Sequence, residues 1–187
     1  MRKLKLQIQV SIDGFVARPD GANDWIVAIG DKEILDLAVK QAQEADLILM
    51  GRKMSPGFLQ YWEKVVDGDK NNVEYTLATL MVDLPKVIFS KTLKATTGRN
   101  ARVENGDLKT EVNKLKQQPG KDIIVYGGAG FVSNLINEDL IDEYILHVNP
   151  AAIGKGMTIF KGDKKLKLIK STTHQVGIVV NRYEPLR

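Results

Sequence analysis

Asp122-Ile123-Ile124-Val125-Tyr126-Gly127-Gly128-Ala129-Gly130-Phe131-Val132-Ser133-Asn134-Leu135-Ile136 is the stretch that decides how this chain folds. Asp122 to Tyr126 is short, mostly apolar and β-branched, which predicts a buried strand. Three glycines and an alanine follow, and then Phe131, Val132, Leu135 and Ile136 recur at helical spacing. A strand that turns through glycines straight into a helix is an α/β unit. The turn also carries chemistry. Glycine lets a bulky anion approach the backbone N–H groups, and the helix beyond it presents free N–H groups and a positive dipole end. Phosphate is the natural guest. The pattern is not G-x-G-x-x-G, and no P-loop Lys-Ser/Thr follows. Taken alone, the glycines fit a ligand-free turn equally well.

Further α/β units lie on either side. Leu4, Leu6, Ile8, Val10 and Ile12 alternate with polar residues, predicting a strand with one buried face. A loop rich in Pro, Gly, Asn and Asp follows over 18–24. Asp31 is placed to cap a helix carrying Ile34, Leu35, Ala38, Ala42 and Ala45. Leu47 to Met50 and Lys86 to Ser90 read as strands buried on both faces, which implies parallel neighbours. The stretch from Pro56 to Asp69 is less regular. Short helices are predicted over Glu74–Val82, ended before Pro85, and over Asp107–Gln118, ended by Pro119-Gly120. Tyr144 to Val148 is a strand. Two more, near Leu166–Thr172 and Val176–Tyr183, suit an antiparallel pair at a sheet edge. The expectation is one α/β domain over residues 1–187 on a mixed sheet.

The bulk properties exclude several functions. The 187 residues contain no cysteine and only two histidines, His147 and His174, far apart in sequence. Disulfides, thiolate nucleophiles and Cys- or His-rich metal sites are excluded, so no metal is expected. Net charge is +4, with Lys161, Lys164, Lys165, Lys167 and Lys170 forming a small concentration. A solvated strand face explains these lysines best, and without interleaved aromatic residues nucleic acid is not an expected partner. No apolar run suits a signal peptide, and no segment nears the roughly 20 apolar residues of a membrane span, so a cytoplasmic protein without membrane contact is expected.

Two further strand ends repeat the signal of the glycine turn. Met50-Gly51-Arg52-Lys53-Met54 follows a buried strand with a glycine and two cations, one able to hold phosphate bidentately. Phe89-Ser90-Lys91-Thr92 adds hydroxyls and a cation at a third end. Each alone is an ordinary turn. Together they could line one cleft, because ligands of open α/β sheets sit outside the carboxyl ends of the strands. The cations favour a 2′-phosphate, and so NADPH over NADH.

The chain resembles the dihydrofolate reductase-like superfamily, and within it the branch containing the reductase domain of riboflavin-biosynthesis enzymes. Ser11 to Ala17, Leu49 to Lys53, Lys86 to Leu93, Val125 to Ala129, Leu140 to Pro150 and Gly154-Lys155-Gly156 before Phe160 carry the resemblance, in the family's order and over nearly the whole chain. It implies a three-layer fold: a mixed, mostly parallel sheet of about eight strands, with antiparallel C-terminal strands and flanking helices. It implies NADPH across the strand ends, held by Gly51, Arg52, Lys53 and Met54, by Ser90, Lys91 and Thr92, and by Tyr126, Gly127, Gly128, Ala129, Gly130, Phe131 and Val132, with Val10 or Ile12 at the nicotinamide. Asp13 and Trp25 would border the substrate. A homodimer is expected, because the family often pairs through its late strands.

Two departures stand out. Met54 replaces a frequent Thr, and Ser55 to Trp62 lacks the arginine that grips a ribose phosphate. Asp13 and Asp36 are the candidate proton donors, each with a plainer role available: Asp13 capping its own turn, Asp36 lying exposed on its helix. The expected activity is hydride transfer from NADPH to a C=N or C=O bond of a small heterocycle, most like 5-amino-6-(5-phosphoribosylamino)uracil reductase. Dihydrofolate reductase activity and a nucleotide-binding module without turnover are the alternatives.

Overall fold

One eight-stranded sheet organises the chain in the computed structural model, which describes residues 1–27 and 29–186. The strands are β1 (Leu4–Ser11), β2 (Ala45–Gly51), β3 (Lys86–Phe89), β4 (Ala101–Glu104), β5 (Asp122–Val125), β6 (Glu143–Asn149), β7 (Leu166–Thr173) and β8 (Val179–Pro185). The helices are α1 (Lys32–Gln43), α2 (Ser55–Val66), α3 (Tyr75–Asp83), α4 (Leu108–Gln117) and α5 (Ala129–Asn137). The strand order is β4-β3-β2-β5-β1-β6-β8-β7. The six strands from β4 to β6 are parallel; β8 adds antiparallel to β6, and β7 antiparallel to β8.

The helices divide between the two faces by the direction of the chain. Connections running toward β4 carry α1, α2 and α3, which pack on Ile48, Met50, Ile88 and Ile124. Connections running toward β6 carry α4 and α5, whose Val112, Leu115, Val132 and Leu135 pack on Leu4, Leu6, Ile8 and Val10. A uniform crossover hand requires this split. The chain leaves β1 in one direction and the adjacent β5 in the other. Their C-terminal ends therefore flank the crevice where such sheets bind ligands.

Local chemistry sets most helix starts as the sequence predicts. Asp31 caps α1 by accepting from the Ile34 N–H at 3.0 Å, and Asp107 caps α4 by accepting from the Thr110 N–H at 2.9 Å. Three expectations change. The stretch after Pro56 is a full helix, α2, because proline in the first turn gives up an N–H that has no helical partner anyway. Ala101–Glu104 is a strand, ordered by its pairing with β3 rather than by any alternation of its own. And β1 is buried on both faces, with only Gln9 partly open. Its polar face lies under α1: Lys5 is paired with Glu44 and Asp122 at 2.8 and 2.9 Å, and Gln7 is buried.

Among the described residues no helix is long and apolar enough to cross a membrane. The lysines near the C-terminus lie on and beside the exposed strand β7, where Lys164 pairs with Asp139 and Lys167 with Glu184.

Candidate active site

All six parallel strands end at the same edge of the sheet. Because β3, β2 and β5 are neighbours, the three phosphate-friendly turns stand side by side. Their spacing is fixed by close packing. A Cβ on Gly51 would lie 2.6 Å from the Cβ of Phe131, so only glycine lets the first turn of α5 rest on the end of β2. The Phe131 ring stacks in turn on Phe89, the last residue of β3, with centroids 5.5 Å apart.

The backbone after Gly51 is a fixed turn. Met54 N–H donates to the Gly51 carbonyl at 3.2 Å, and Ser55 Oγ donates to the Arg52 carbonyl at 3.1 Å. Arg52 and Lys53 are exposed on that turn. Met54 leans over the glycine turn: a Cβ on Gly127 would lie 2.9 Å from its sulfur. Gly127 also has φ of +150°, and the Gly127–Gly128 peptide is cis. α5 begins at Ala129 with Gly128 as its N-cap and no capping side chain. The first N–H bonded to a helical carbonyl is that of Val132, to Gly128 at 3.0 Å. The N–H groups of Ala129, Gly130 and Phe131 precede it at the helix start, where no intrahelical acceptor exists.

At the β3 end, Ser90 Oγ accepts from the N–H groups of Thr92 and Leu93 at 3.1 and 2.8 Å, while Asn105 Nδ2 donates to the carbonyls of Ser90 and Leu93. Lys91 Nζ donates to the Gly106 carbonyl at 3.0 Å. Beside this turn is a cavity of about 570 Å³ whose lining includes Ser55, Pro56, Leu59, Leu93, Thr96 and Gly98.

Two residues of the expected cofactor set point their side chains elsewhere. Tyr126 stacks on Phe58, and its hydroxyl is buried without a partner; burial pushes its pKa up. Val132 is fully buried in the core under α5. Val10 is also buried, whereas Ile12, just past β1, is 64% exposed at the crevice.

Asp13 and Asp36, the candidate proton donors, are each engaged by other partners. The Asp13 carboxylate accepts from Ser11 Oγ at 2.5 Å and from the N–H groups of Ile153 and Gly154 at 3.0 and 2.7 Å. The hydrogen bond from Ser11, followed by those from the loop, holds its pKa below the usual carboxylate value. A proton donor near neutral pH needs the opposite shift. Asp13 is a tie between the loop after β1 and the loop after β6. Asp36 is exposed and pairs with Lys32 at 2.6 Å, while α1 buries Ile34, Gln41 and Ala42. Trp25 is buried, with its indole N–H unpartnered.

The structure adds residues that the sequence did not single out. Asn149, at the end of β6, is fully buried; its Oδ1 accepts from the Val27 N–H at 3.1 Å and its Nδ2 donates to Gln9 Oε1 at 2.7 Å. His147 is fully buried two residues earlier. His174, in the turn between β7 and β8, lies near enough to it to act electrostatically, and its Nδ1 is 2.8 Å from Glu33 of α1. Burial, with a smaller push from His174, lowers the His147 pKa to about 4, so the imidazole is neutral.

This architecture is the dihydrofolate reductase-like α/β fold. The chain belongs to the RibD C-terminal domain family, whose sequence model matches residues 2–180. It is 34% identical over 181 residues to the uncharacterized protein YyaP of Bacillus subtilis (strain 168), covering 95% of this chain and 92% of that protein. A Shewanella sp. PV-4 crystal structure provisionally named for riboflavin biosynthesis aligns over 100% of both chains, with a TM-score of 0.75 and 21% identity. The Thermotoga maritima diaminohydroxyphosphoribosylaminopyrimidine deaminase/5-amino-6-(5-phosphoribosylamino)uracil reductase aligns over 99% of this chain and 57% of its own, with a TM-score of 0.67 and 15% identity.

Proposed function

We propose that this chain is an NADPH-dependent reductase of a small heterocyclic substrate, related in chemistry to the uracil reductase activity named for its Thermotoga maritima structural neighbour. The observation that carries the reading is the alignment of three anion-ready turns on the adjacent ends of β3, β2 and β5. The fit to a dinucleotide rests on side chains and backbone present there. The uncapped first turn of α5 suits the pyrophosphate. Arg52, Lys53, Ser90 and Lys91 suit the 2′-phosphate. The cavity beside Ser90–Thr92 has room for an adenine ring. Ile12 suits one side of the nicotinamide, at the crevice between β5 and β1. When bound, NADPH supplies the hydride; the chain supplies orientation and electrostatics.

Titration of the purified chain with NADPH and NADH tests this, followed by cofactor oxidation with pyrimidine and pterin substrates. Micromolar NADPH affinity that falls about tenfold in Arg52→Ala, with NADH affinity unmoved, is the expected result. No binding at millimolar NADPH refutes it. Cofactor binding without turnover on any candidate would leave a nucleotide-binding module.

A further inference from the structure

α4 packs toward the middle of the sheet. Its Val112 and Leu115 lie in the core with Leu4 and Leu6 of β1, and its Lys116 carbonyl accepts from the Arg2 N–H at 3.0 Å. Beside the C-terminal end of this helix, over the starts of β2, β3 and β4, the sheet face is not closed: a cavity of about 460 Å³ opens there. Leu47, Val87 and Leu115 form its buried apolar part. The volume is in the range of small-molecule pockets, about 300–1,000 Å³. The cavity sits at the N-terminal edge of the parallel strands, opposite the three turns. From Leu47 to Gly51 the rise of β2 is roughly 13 Å.

One lining residue is a buried cation. Arg2 is 8% exposed. Its Nε donates to the Lys121 carbonyl and its Nη2 to Asp46 Oδ1. A guanidinium has five N–H groups. Nη1 keeps both of its own and Nη2 keeps one, with no acceptor among the described residues. On one side the main chain closes over this ion pair: a Cβ on Gly120 would lie 2.4 Å from Asp46 Oδ2 and 3.4 Å from Arg2 Cζ. Arg2 and Asp46 both line the cavity. A buried charge with unspent donors calls for a further partner. Asp46 has none to spare, because its Oδ2 accepts from the Lys121 N–H at 2.8 Å. A second cation stands at the other wall. Arg102 lies opposite Val87 in the β3–β4 register, hence on the same sheet face, and gives only its Nη1 to Glu104, at 3.0 Å. Lys86 sends its ammonium away, to the carbonyls of Met81, Val82 and Leu84.

We infer that this cavity is a second ligand site, and that it takes a small, flat apolar molecule carrying one carboxylate. Leu47, Val87 and Leu115 receive the apolar body. The free N–H groups of Arg2 receive the carboxylate, which a guanidinium can hold through two parallel hydrogen bonds. Two cations face the cavity against the single carboxylate of Asp46, an excess that matches one negative charge. A phosphate dianion would leave charge unbalanced over an apolar floor, and an uncharged ring would leave the Arg2 donors unspent. The ligand sits a strand's length from Gly51, so it does not compete with a dinucleotide at the opposite edge. The inference is independent of the reductase reading.

The test uses two probes of one shape, 2-naphthoate and its neutral counterpart 2-naphthamide. Each is titrated into the unmutated protein and followed by proton–nitrogen-15 spectra, a readout independent of any variant's folding. Naphthoate is expected to give saturable shifts at the amides of Leu47, Val87 and Leu115 and at the Arg2 Nε–H, with the signals of Gly51 and Gly127 unmoved. It is expected to bind at least tenfold more tightly than the amide. Arg2→Lys keeps the charge and loses the fork; it is expected to lose at least tenfold in naphthoate affinity. Adding NADP⁺ is expected to leave naphthoate affinity unchanged. No saturable shift at millimolar naphthoate, shifts confined to the Gly51, Ser90 and Gly127 turns, equal binding of the amide, or unchanged affinity in Arg2→Lys would each overturn the inference. None of these outcomes touches the reductase reading, which NADPH titration decides.

Discussion

Gly51→Ala is the smallest change that strikes the proposed cofactor cradle. The added methyl would sit 2.6 Å from the Phe131 Cβ and 3.0 Å from its Cγ, whereas carbon atoms prefer separations of about 3.5–4.0 Å. The Phe131 Cβ is fixed to the α5 backbone, so no rotamer change relieves the contact, and the ring beyond it is held against Phe89. The first turn of α5 must move by about 1 Å. Overpacking of this kind costs about 1–3 kcal/mol, and a displacement of this size at a positioning element can cost about a hundredfold in rate. Urea unfolding and NADPH titration measure the two effects separately. The expected result is a loss of about 2 kcal/mol, with NADPH affinity reduced about tenfold or more. Gly130→Ala is the control, because its Cβ would meet nothing within 4 Å; helix propensity predicts a gain of up to about 1 kcal/mol. A second comparison isolates the contact. In a Phe131→Gly background the Gly51→Ala penalty should vanish, leaving a coupling energy near the whole cost. A penalty that persists there, or a Gly51→Ala protein as stable and as tightly NADPH-bound as the original, would refute the reasoning.

Three other outcomes are expected. Because burial lowers the His147 pKa to about 4 from its ordinary 6.5, the unfolded chain binds a proton between those values that the folded chain refuses. Stability from this group is full above pH 6.5 and is lost as pH falls toward 4, by about 3 kcal/mol; urea unfolding across that range should show the loss in the unmutated protein and not in His147→Leu. Lys86 is buried, and its ammonium donates to the carbonyls of Met81, Val82 and Leu84 at 2.9, 2.8 and 2.7 Å, closing the end of α3. Lys86→Met should cost about 2 kcal/mol in the same assay. Burial lowers the Lys86 pKa to about 8 from 10.5, so relative to that variant the unmutated protein should gain stability as pH rises from 8 to 10.5. Asp36→Asn should change turnover by less than about twofold, since the carboxylate is exposed and paired only with Lys32; a loss of two orders of magnitude in kcat would reinstate it as a proton donor.

What could be seen in the sequence, and what could not, follows from the range of the interactions. The three turns at the C-terminal edge of the sheet were legible because each piece is local: a buried strand and, within a few residues, glycines, hydroxyls or cations at Gly51, Ser90 and Gly127. Asp31 and Asp107 were legible as caps for the same reason. α2 was obscured because Pro56 and Gly57 read as breakers, although proline at a first turn continues a helix. β4 was not legible because Ala101–Glu104 has no pattern of its own and takes its order from β3. The double burial of β1 was hidden by Lys5, Gln7 and Gln9, whose polarity signals solvent until α1 covers them. The buried polar layer under α1 was beyond reach because Gln9, Gln41, His147 and His174 come from a strand, a helix, a second strand and a turn that only the sheet order brings together.

That order also bears on which side the hydride acceptor should approach from. The proposed cofactor turns follow β3, β2 and β5, and α5 would offer its N-terminus from the face that also buries Val10. The opposite face of β1, with Gln7 and Gln9, lies under α1 beside His147 of β6. Ile12 stands at the end of the strand that separates them, exposed at the crevice between β5 and β1. A nicotinamide reaching this crevice from the α5 side would present one ring face toward the α1 side. Asp13 ties the loop after β1 to Ile153 and Gly154 at this end of the crevice. On this arrangement, substitutions in the glycine turn should alter cofactor affinity.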